Sequence, residues 1–464
     1  MFALTAAALA LYLAATLAIG VAWRRRASRD EISYFVADRS LDTFWGFLGL
    51  ASLTTGGSTT IALASLVYTH GIAGLWLDLS GALGLLVLGL FFARRVRREA
   101  AVTLPEILGR RYGATARRVA AVLVLISEIV WFALLTEATQ IVLTAAFGLS
   151  PNRAIVISTA VFVAYTALGG QYAVVRTDLL QYGLMVLGIP GAALACALVG
   201  AKGLSGLPAE AWRFPTSATF GAGDVVAMLV LVGLPHVVGS DVYLKLLSCR
   251  DEGTARRSVL LAAGSKVLFG FAVAAIALAA RKALPPVAPS SVLPAAVLGF
   301  APPALAALVL VALVATMQTS ADIVLLSASA VTARDLAPPL FGGRTLPVRA
   351  ARLLPVLYGA LGLLTALALD RDVLRTLRLG YSIFAAGLIL PTLVALAPER
   401  FRVPTRGAIA AMVAGGAAAV AGRFVPELSG GRDPVLIGTG VNALVLLAAL
   451  LFRRSSRAQR GIPD

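Results

Sequence analysis

Leu53-Thr54-Thr55-Gly56-Gly57-Ser58-Thr59-Thr60 lies in the middle of an apolar segment running from about Phe44 to Tyr68. The segment is long enough to cross a bilayer, yet its centre carries two adjacent glycines and five Thr/Ser hydroxyls. Glycine loosens a helix, and carbonyls freed by a break find no partner in lipid. Two readings are open for such a stretch: close packing of small residues against a neighbouring helix, or a hinge that faces an ion or a cavity.

The rest of the chain identifies the solvent around that break. Its 464 residues are 59% hydrophobic and 14% charged, with a mean hydropathy of +0.88. This composition excludes a soluble domain and predicts an all-α polytopic membrane protein. Apolar segments of spanning length run near 2–23, 44–69, 73–93, 117–147, 151–169, 178–200, 224–247, 256–280, 302–333, 351–369, 377–397, 407–425 and 434–452, thirteen in all. The first is longer than a signal-peptide core and is followed by Arg24-Arg25-Arg26, so it reads as an anchor helix with its N-terminus outside. On that topology, with residues at span ends counted with the adjoining loop, twenty-nine of the 40 Lys/Arg belong to the cytoplasmic side and ten to the outside, and Lys266 alone lies well inside a span. That asymmetry is the positive-inside pattern, and it accounts for the formal charge of +17 as anchoring at an anionic leaflet. Nucleic acid would want basic residues interleaved with aromatics on a soluble domain. Cys196 and Cys249 fall in or beside different spans and predict neither a disulfide framework nor a metal cluster.

Thr103-Leu104-Pro105-Glu106 reads as a helix start, with proline in the first turn and an acid at the positive end. Span 117–147 carries Glu128, Glu137 and Gln140, much polarity for mid-membrane. Gly169-Gly170 closes one span, and Thr177 or Asp178 is placed to cap the next. Four motifs then occur in order: Phe-x-Ala-Asp-Arg-Ser-Leu at Phe35–Leu41, Thr-x-Pro-Glu-x-x-x-x-Arg-Tyr-Gly at Thr103–Gly113, Tyr-Thr-x-x-Gly-Gly-x-x-Ala-Val-x-x-Thr-Asp-x-x-Gln at Tyr165–Gln181, and Thr319-Ser320-Ala321-Asp322 through Ser329 to Arg334-Asp335-Leu336. Together they resemble the sodium:solute symporter family over most of the chain.

The resemblance implies a LeuT-like transporter fold, two inverted five-helix repeats whose first helices are broken at the midplane. A second break matches the first: the span from near Asp224 is interrupted at Gly233-Leu234-Pro235-His236-Val237-Val238-Gly239, where proline removes a helical hydrogen bond. The expected organisation is an N-terminal anchor helix and lead-in over 1–43, repeats over 44–200 and 224–397, and two C-terminal helices with a basic tail over 407–464.

Sodium requires roughly five or six oxygens of modest field strength. By resemblance they are the carbonyls of Ser52, Thr55 and Thr316 and the hydroxyls of Thr319 and Ser320. Asp178 matches an acid that the family associates with sodium exit. The competing reading is that these hydroxyls bond back to their own helices. The solute is expected beside both breaks, among Thr59, Asp78, Val232, Pro235, His236, Lys266, Arg378, Tyr381 and Ser382. Lys266 is either a solute ligand or a snorkelling side chain, and His236 either a ligand or a packed polar group. Arg378 stands where an uncharged polar residue is expected. His236, Lys266 and Arg378 against Asp78 tilt the cavity positive and point to an anionic or zwitterionic solute such as a carboxylate or amino acid. Thr54, where some amino-acid and proline carriers of the family have an acid, weakens a proline assignment.

The function implied is sodium-coupled symport of a small organic solute by alternating access. The expected setting is a multi-pass protein of the cell inner (plasma) membrane, with its C-terminus cytoplasmic and no nucleic-acid partner; the oligomeric state stays open. Proton coupling through Glu128, Glu137 or Asp78 is the alternative within the fold. A membrane sensor domain is the alternative from another class, although the chain ends soon after its last span, which on this reading leaves no output domain. No enzyme is expected, because His70 and His236 supply neither a nucleophile–base pair nor metal ligands at mid-depth.

Overall fold

The computed structural model describes residues 2–459 except 28, 200–203, 205, 370–371 and 399–400. The expected repeat boundary at 200 and tail residues 460–464 lie outside these. The described residues are 86% helical and form no strand. In chain order, α1 (Phe2–Ala27) and the short α2 (Glu31–Val36) precede α3 (Thr43–Thr55) and α4 (Ser58–His70). Next come α5 (Trp76–Val87), which continues to Arg98, then α6 (Leu104–Tyr112), α7 (Ala114–Phe147) and α8 (Pro151–Val199). The second half holds α9 (Ala222–Met228), α10 (Leu234–Val238), α11 (Ser240–Leu247), α12 (Glu252–Ala283), α13 (Val292–Phe300) and α14 (Pro303–Val331). It ends with α15 (Leu354–Ala368), α16 (Val373–Phe384), α17 (Thr405–Phe424) and α18 (Pro434–Gln459).

Among the described residues, eleven helical stretches are long and apolar enough to cross a membrane, against the thirteen separate spans expected. The difference has a physical cause. Ser58–Arg98 and Pro151–Cys196 hold 41 and 46 residues, about twice what a hydrocarbon core of roughly 30 Å needs. Each runs through a glycine at positive φ, Gly71 at +72° and Gly170 at +55°. Gly170, non-helical with ψ of −164°, is a kink between two helices that α8 joins end to end. Thr177 and Asp178 lie inside the second of them, which corrects the capping role expected for them: the Thr177 hydroxyl bonds to the Val174 carbonyl at 2.9 Å, and Asp178 is buried in the core.

The first broken helix forms as its residues dictate. The Asp42 carboxylate caps α3 by accepting from the Phe44 and Trp45 amides at 3.0 and 3.1 Å. The helix ends at Gly56, and Gly57 takes φ +68° before α4 begins. Space as well as conformation demands glycine: a Cβ at Gly57 would meet Ser320 Oγ at 2.7 Å, and one at Gly56 would lie 2.8 Å from the Ser52 carbonyl oxygen. In the second half a wide turn over Leu229–Gly233 leads into α10, and the chain is extended at Gly239, with ψ of 135°, before α11.

Helix α14 is the central post, buried continuously from Val309 to Val331 and packed on α7, α8 and α3. In contrast, α1 lies against α8 at the periphery, and α17 and α18 pack chiefly on each other. Gly84 of α5 brings that helix onto the wide turn, since a Cβ there would lie 2.0 Å from the Gly233 carbonyl oxygen. Gly84→Ala is expected to cost about 1–3 kcal/mol through overpacking, read as a lower apparent unfolding temperature in detergent. An unchanged temperature would show that the two helices can separate freely.

Candidate functional site

An α-helix leaves its last four carbonyls without intrahelical donors, and its C-terminal end is electronegative. For α3 these are the carbonyls of Ser52, Leu53, Thr54 and Thr55. Three have identifiable neighbours. The Lys266 ammonium donates to the Thr54 carbonyl, and the Thr60 hydroxyl donates to that of Thr55 at 3.2 Å. Ser320 Oγ lies 3.5 Å from the Leu53 carbonyl and 3.4 Å from that of Thr316. Thr319 Oγ1 lies 3.1 Å from Ser52 Oγ and 2.7 Å from Asp178 Oδ1, which Ser52 Oγ also approaches at 2.9 Å. Back-bonding accounts for the Thr54 and Thr55 hydroxyls, which donate to Leu50 and Ala51. It does not account for Thr319, which reaches across to α3 and α8.

Of the residues named for sodium, Ser52, Thr319 and Asp178 meet where α3, α8 and α14 come together, and Ser320 stands beside the Thr316 carbonyl, whereas the Thr55 carbonyl is engaged by Thr60 of α4. The donor set is composed of carbonyls, hydroxyls and one carboxylate, all hard oxygens of the kind that sodium takes. Asp178 also receives the ammonium of Lys245, with the two side chains 0% and 1% exposed. Lys245, counted with the cytoplasmic loop on sequence, is therefore a buried ion-pair partner.

A cavity opens between the two breaks. Its lining comprises Thr54 and Gly56–Thr59 of the first broken helix, Pro235, His236, Gly239 and Asp241 of the second, and Ser320 of α14. Glu128 and Trp131 of α7 and Tyr381 and Phe384 of α16 complete the walls. Trp131 and Tyr381 meet edge to face, with ring centroids 4.2 Å apart. Glu128 accepts from the Ser327 hydroxyl at 2.7 Å, and Asp241 accepts from the Val242 amide at 2.8 Å.

Of the nine residues expected around the solute, Thr59, Pro235, His236 and Tyr381 line this cavity. The other five are placed elsewhere. Asp78 and Lys266 form a buried ion pair at 2.7 Å, and the Val232 carbonyl accepts from His236 Nδ1–H at 2.8 Å. Ser382 is buried on α16 but outside the lining, and Arg378 lies 3.5 Å from Asp433. The positive tilt argued from sequence is thereby corrected. Its lysine is neutralised by its acid and its arginine is engaged with another carboxylate, while Glu128 and Asp241 face the cavity. Sequence reasoning considered Glu128 only as a proton carrier and missed Asp241, Trp131 and Phe384. A signal existed in the spacing: Glu128 and Trp131, like Tyr381 and Phe384, stand three apart on one helical face.

At the basic end of the bundle, ion pairs tie the connecting elements together. Arg117 bonds Asp335 at 2.5 Å and Arg334 bonds Glu31 at 2.8 Å. Glu106 of α6 is half-buried, which pushes its carboxyl up, but the Val102 amide and the Arg334 and Arg110 guanidiniums prevail and hold it below the usual range.

A family model described as the sodium:solute symporter family matches residues 34–415. The chain belongs to that family. Relatives among curated proteins match part of the chain. The high-affinity choline transporter 1 of Caenorhabditis elegans is 28% identical over 163 residues, 35% of this chain and 28% of that protein. The sodium/glucose cotransporter 4 of Danio rerio is 31% identical over 189 residues, 39% and 28% of the two chains. The matches thus span less than a third of these relatives' length. A solved Na+-coupled sialic acid symporter, substrate-bound and outward-open, aligns over 97% of this chain and 96% of its own with a TM-score of 0.81 at 19% identity. That likeness establishes the LeuT-like fold of this family member.

Proposed function

We propose that this family member is a sodium-coupled symporter that imports a small organic solute bearing an ammonium group. The observation that carries the reading is the cavity between the two helix breaks, where Glu128 and Asp241 stand among Trp131, Tyr381 and Phe384. Carboxylates draw a cation in, and aromatic faces hold a quaternary or protonated amine. The choline transporter among the relatives fits this preference, and a zwitterion with its amine in the same place fits equally. Sodium occupies the oxygens around Ser52, Thr55, Thr316, Thr319 and Ser320 and joins α3 to α14. Residues 44–200 and 224–397 act as the two inverted repeats, with the bundle divided at Gly71 and Gly170 into thirteen crossings. The basic end faces the cytoplasm across the plasma membrane.

On this reading alternating access couples the two sites. Sodium draws the carbonyl end of α3 toward Thr319 and Ser320, which fixes the break at Gly56-Gly57 and shapes the wall carrying Thr59. Solute closes the cavity against α7 and α16, and rocking of the repeats opens both sites to the other side. The test is uptake into proteoliposomes. An inward sodium gradient should drive accumulation of radiolabelled choline or a zwitterionic amine, with competition by quaternary ammonium ions and none by simple carboxylates. Uptake driven by a pH gradient without sodium would favour coupling by Glu128, and a preference for carboxylates would overturn the assignment of the cavity.

A further inference from the structure

Lys245 follows Gly239 by six residues on α11 and lines no part of the solute cavity. Its ammonium reaches Asp178 Oδ2. The other oxygen of that carboxylate lies 2.7 Å from Thr319 Oγ1 and 2.9 Å from Ser52 Oγ. A single buried acid therefore faces a fixed cation on one edge and the hydroxyls of the sodium region on the other. The backbone makes room for this arrangement. A Cβ at Gly49 of α3 would lie 3.1 Å from Lys245 Cδ and 3.4 Å from both its Nζ and Asp178 Oδ2.

We propose that the Lys245 ammonium is a tethered cation that neutralises Asp178 while the adjacent sodium site is empty, so that sodium binding and the Lys245–Asp178 pair oppose each other. The inference rests on the sodium reading of these oxygens. Its physical basis is that a lone carboxylate in the membrane interior is unfavourable, and so is a second cation beside a carboxylate already paired. An ion-free carrier with Asp178 paired returns through a neutral intermediate. A carrier with sodium bound holds two cations near one acid, which favours ion release once the site opens inward. Lys245 is thus a positioning residue that sets sodium affinity, and the elements it joins, α11, α8 and α3, include one half of each broken helix.

Sodium binding is measured directly with 22Na+ on the purified full chain in detergent, without solute and against a potassium background. Lys245→Met removes the charge and keeps much of the length, and it should lower the half-saturating sodium concentration by at least about tenfold, a shift of 1.4 kcal/mol. Lys245→Arg should remain near wild type. Asp178→Asn, with an unpaired ammonium beside the site, should bind at least about tenfold more weakly than Asp178→Asn with Lys245→Met. Equal affinities in both comparisons overturn the inference while leaving sodium symport standing. If Lys245→Met alone does not fold, the second comparison decides. Binding by Lys245→Met but not by wild type supports the tethered cation and removes sodium coupling from the wild-type protein. Binding by no variant overturns both readings.

Discussion

Replacing Thr319 and Ser320 together by alanine raises the sodium concentration for half-maximal uptake by at least about tenfold, because one lost ligand worth about 1.4 kcal/mol does as much. The geometry divides that effect between the two hydroxyls. Thr319 Oγ1 faces Ser52 and Asp178 and lines no part of the cavity, whereas Ser320 Oγ stands beside the Leu53 and Thr316 carbonyls and also lines the cavity. Thr319→Ala should therefore shift sodium dependence and leave the solute KM at saturating sodium near wild type. Ser320→Ala should move both. Sodium-titrated uptake in proteoliposomes checks this, and an unchanged sodium dependence in the double variant would refute the placement of the ion.

Both breaks were legible because glycine and proline act locally. Gly56-Gly57 and Gly233–Gly239 interrupt apolar runs at matching depth in the two halves, and each break is visible without knowing what packs against it. The Thr103 start of α6 was legible for the same reason, since its hydroxyl accepts from the amide of Glu106 three residues on. The electrostatics of the cavity were not. Lys266 and Asp78 are separated by 188 residues, and Lys245 and Asp178 by 67. No local pattern joins them, so a lysine inside a span reads as a free charge until its partner is placed. Gly71, which caps α4, and Gly170, which kinks α8, join neighbouring apolar segments into single long helical stretches, so the number of stretches does not give the number of crossings. Asp178, open on sequence to both a capping role and a place on the sodium exit path, is the acid on which two hydroxyls and an ammonium converge.

Glu128→Gln and Asp241→Asn should each raise the concentration of an ammonium solute for half-maximal uptake about tenfold to a hundredfold, since a contact to a charged group is worth about 1.5–3 kcal/mol. The two carboxyls are held differently, Glu128 by the Ser327 hydroxyl and Asp241 by the Val242 amide beside the second break. Neither is in an ion pair among the described residues, so the solute is free to supply the opposing charge. Shape and charge can be separated with an uncharged isostere of the same solute, in which carbon replaces the quaternary nitrogen. Its weaker inhibition should be unaffected by Glu128→Gln or Asp241→Asn and reduced by Trp131→Ala, which removes the wall that meets Tyr381. If the carboxyl variants weakened both compounds alike, the loss would come from a disturbed cavity and not from a missing charge. The sign of the solute would then have to be sought on the His236 side of the cavity.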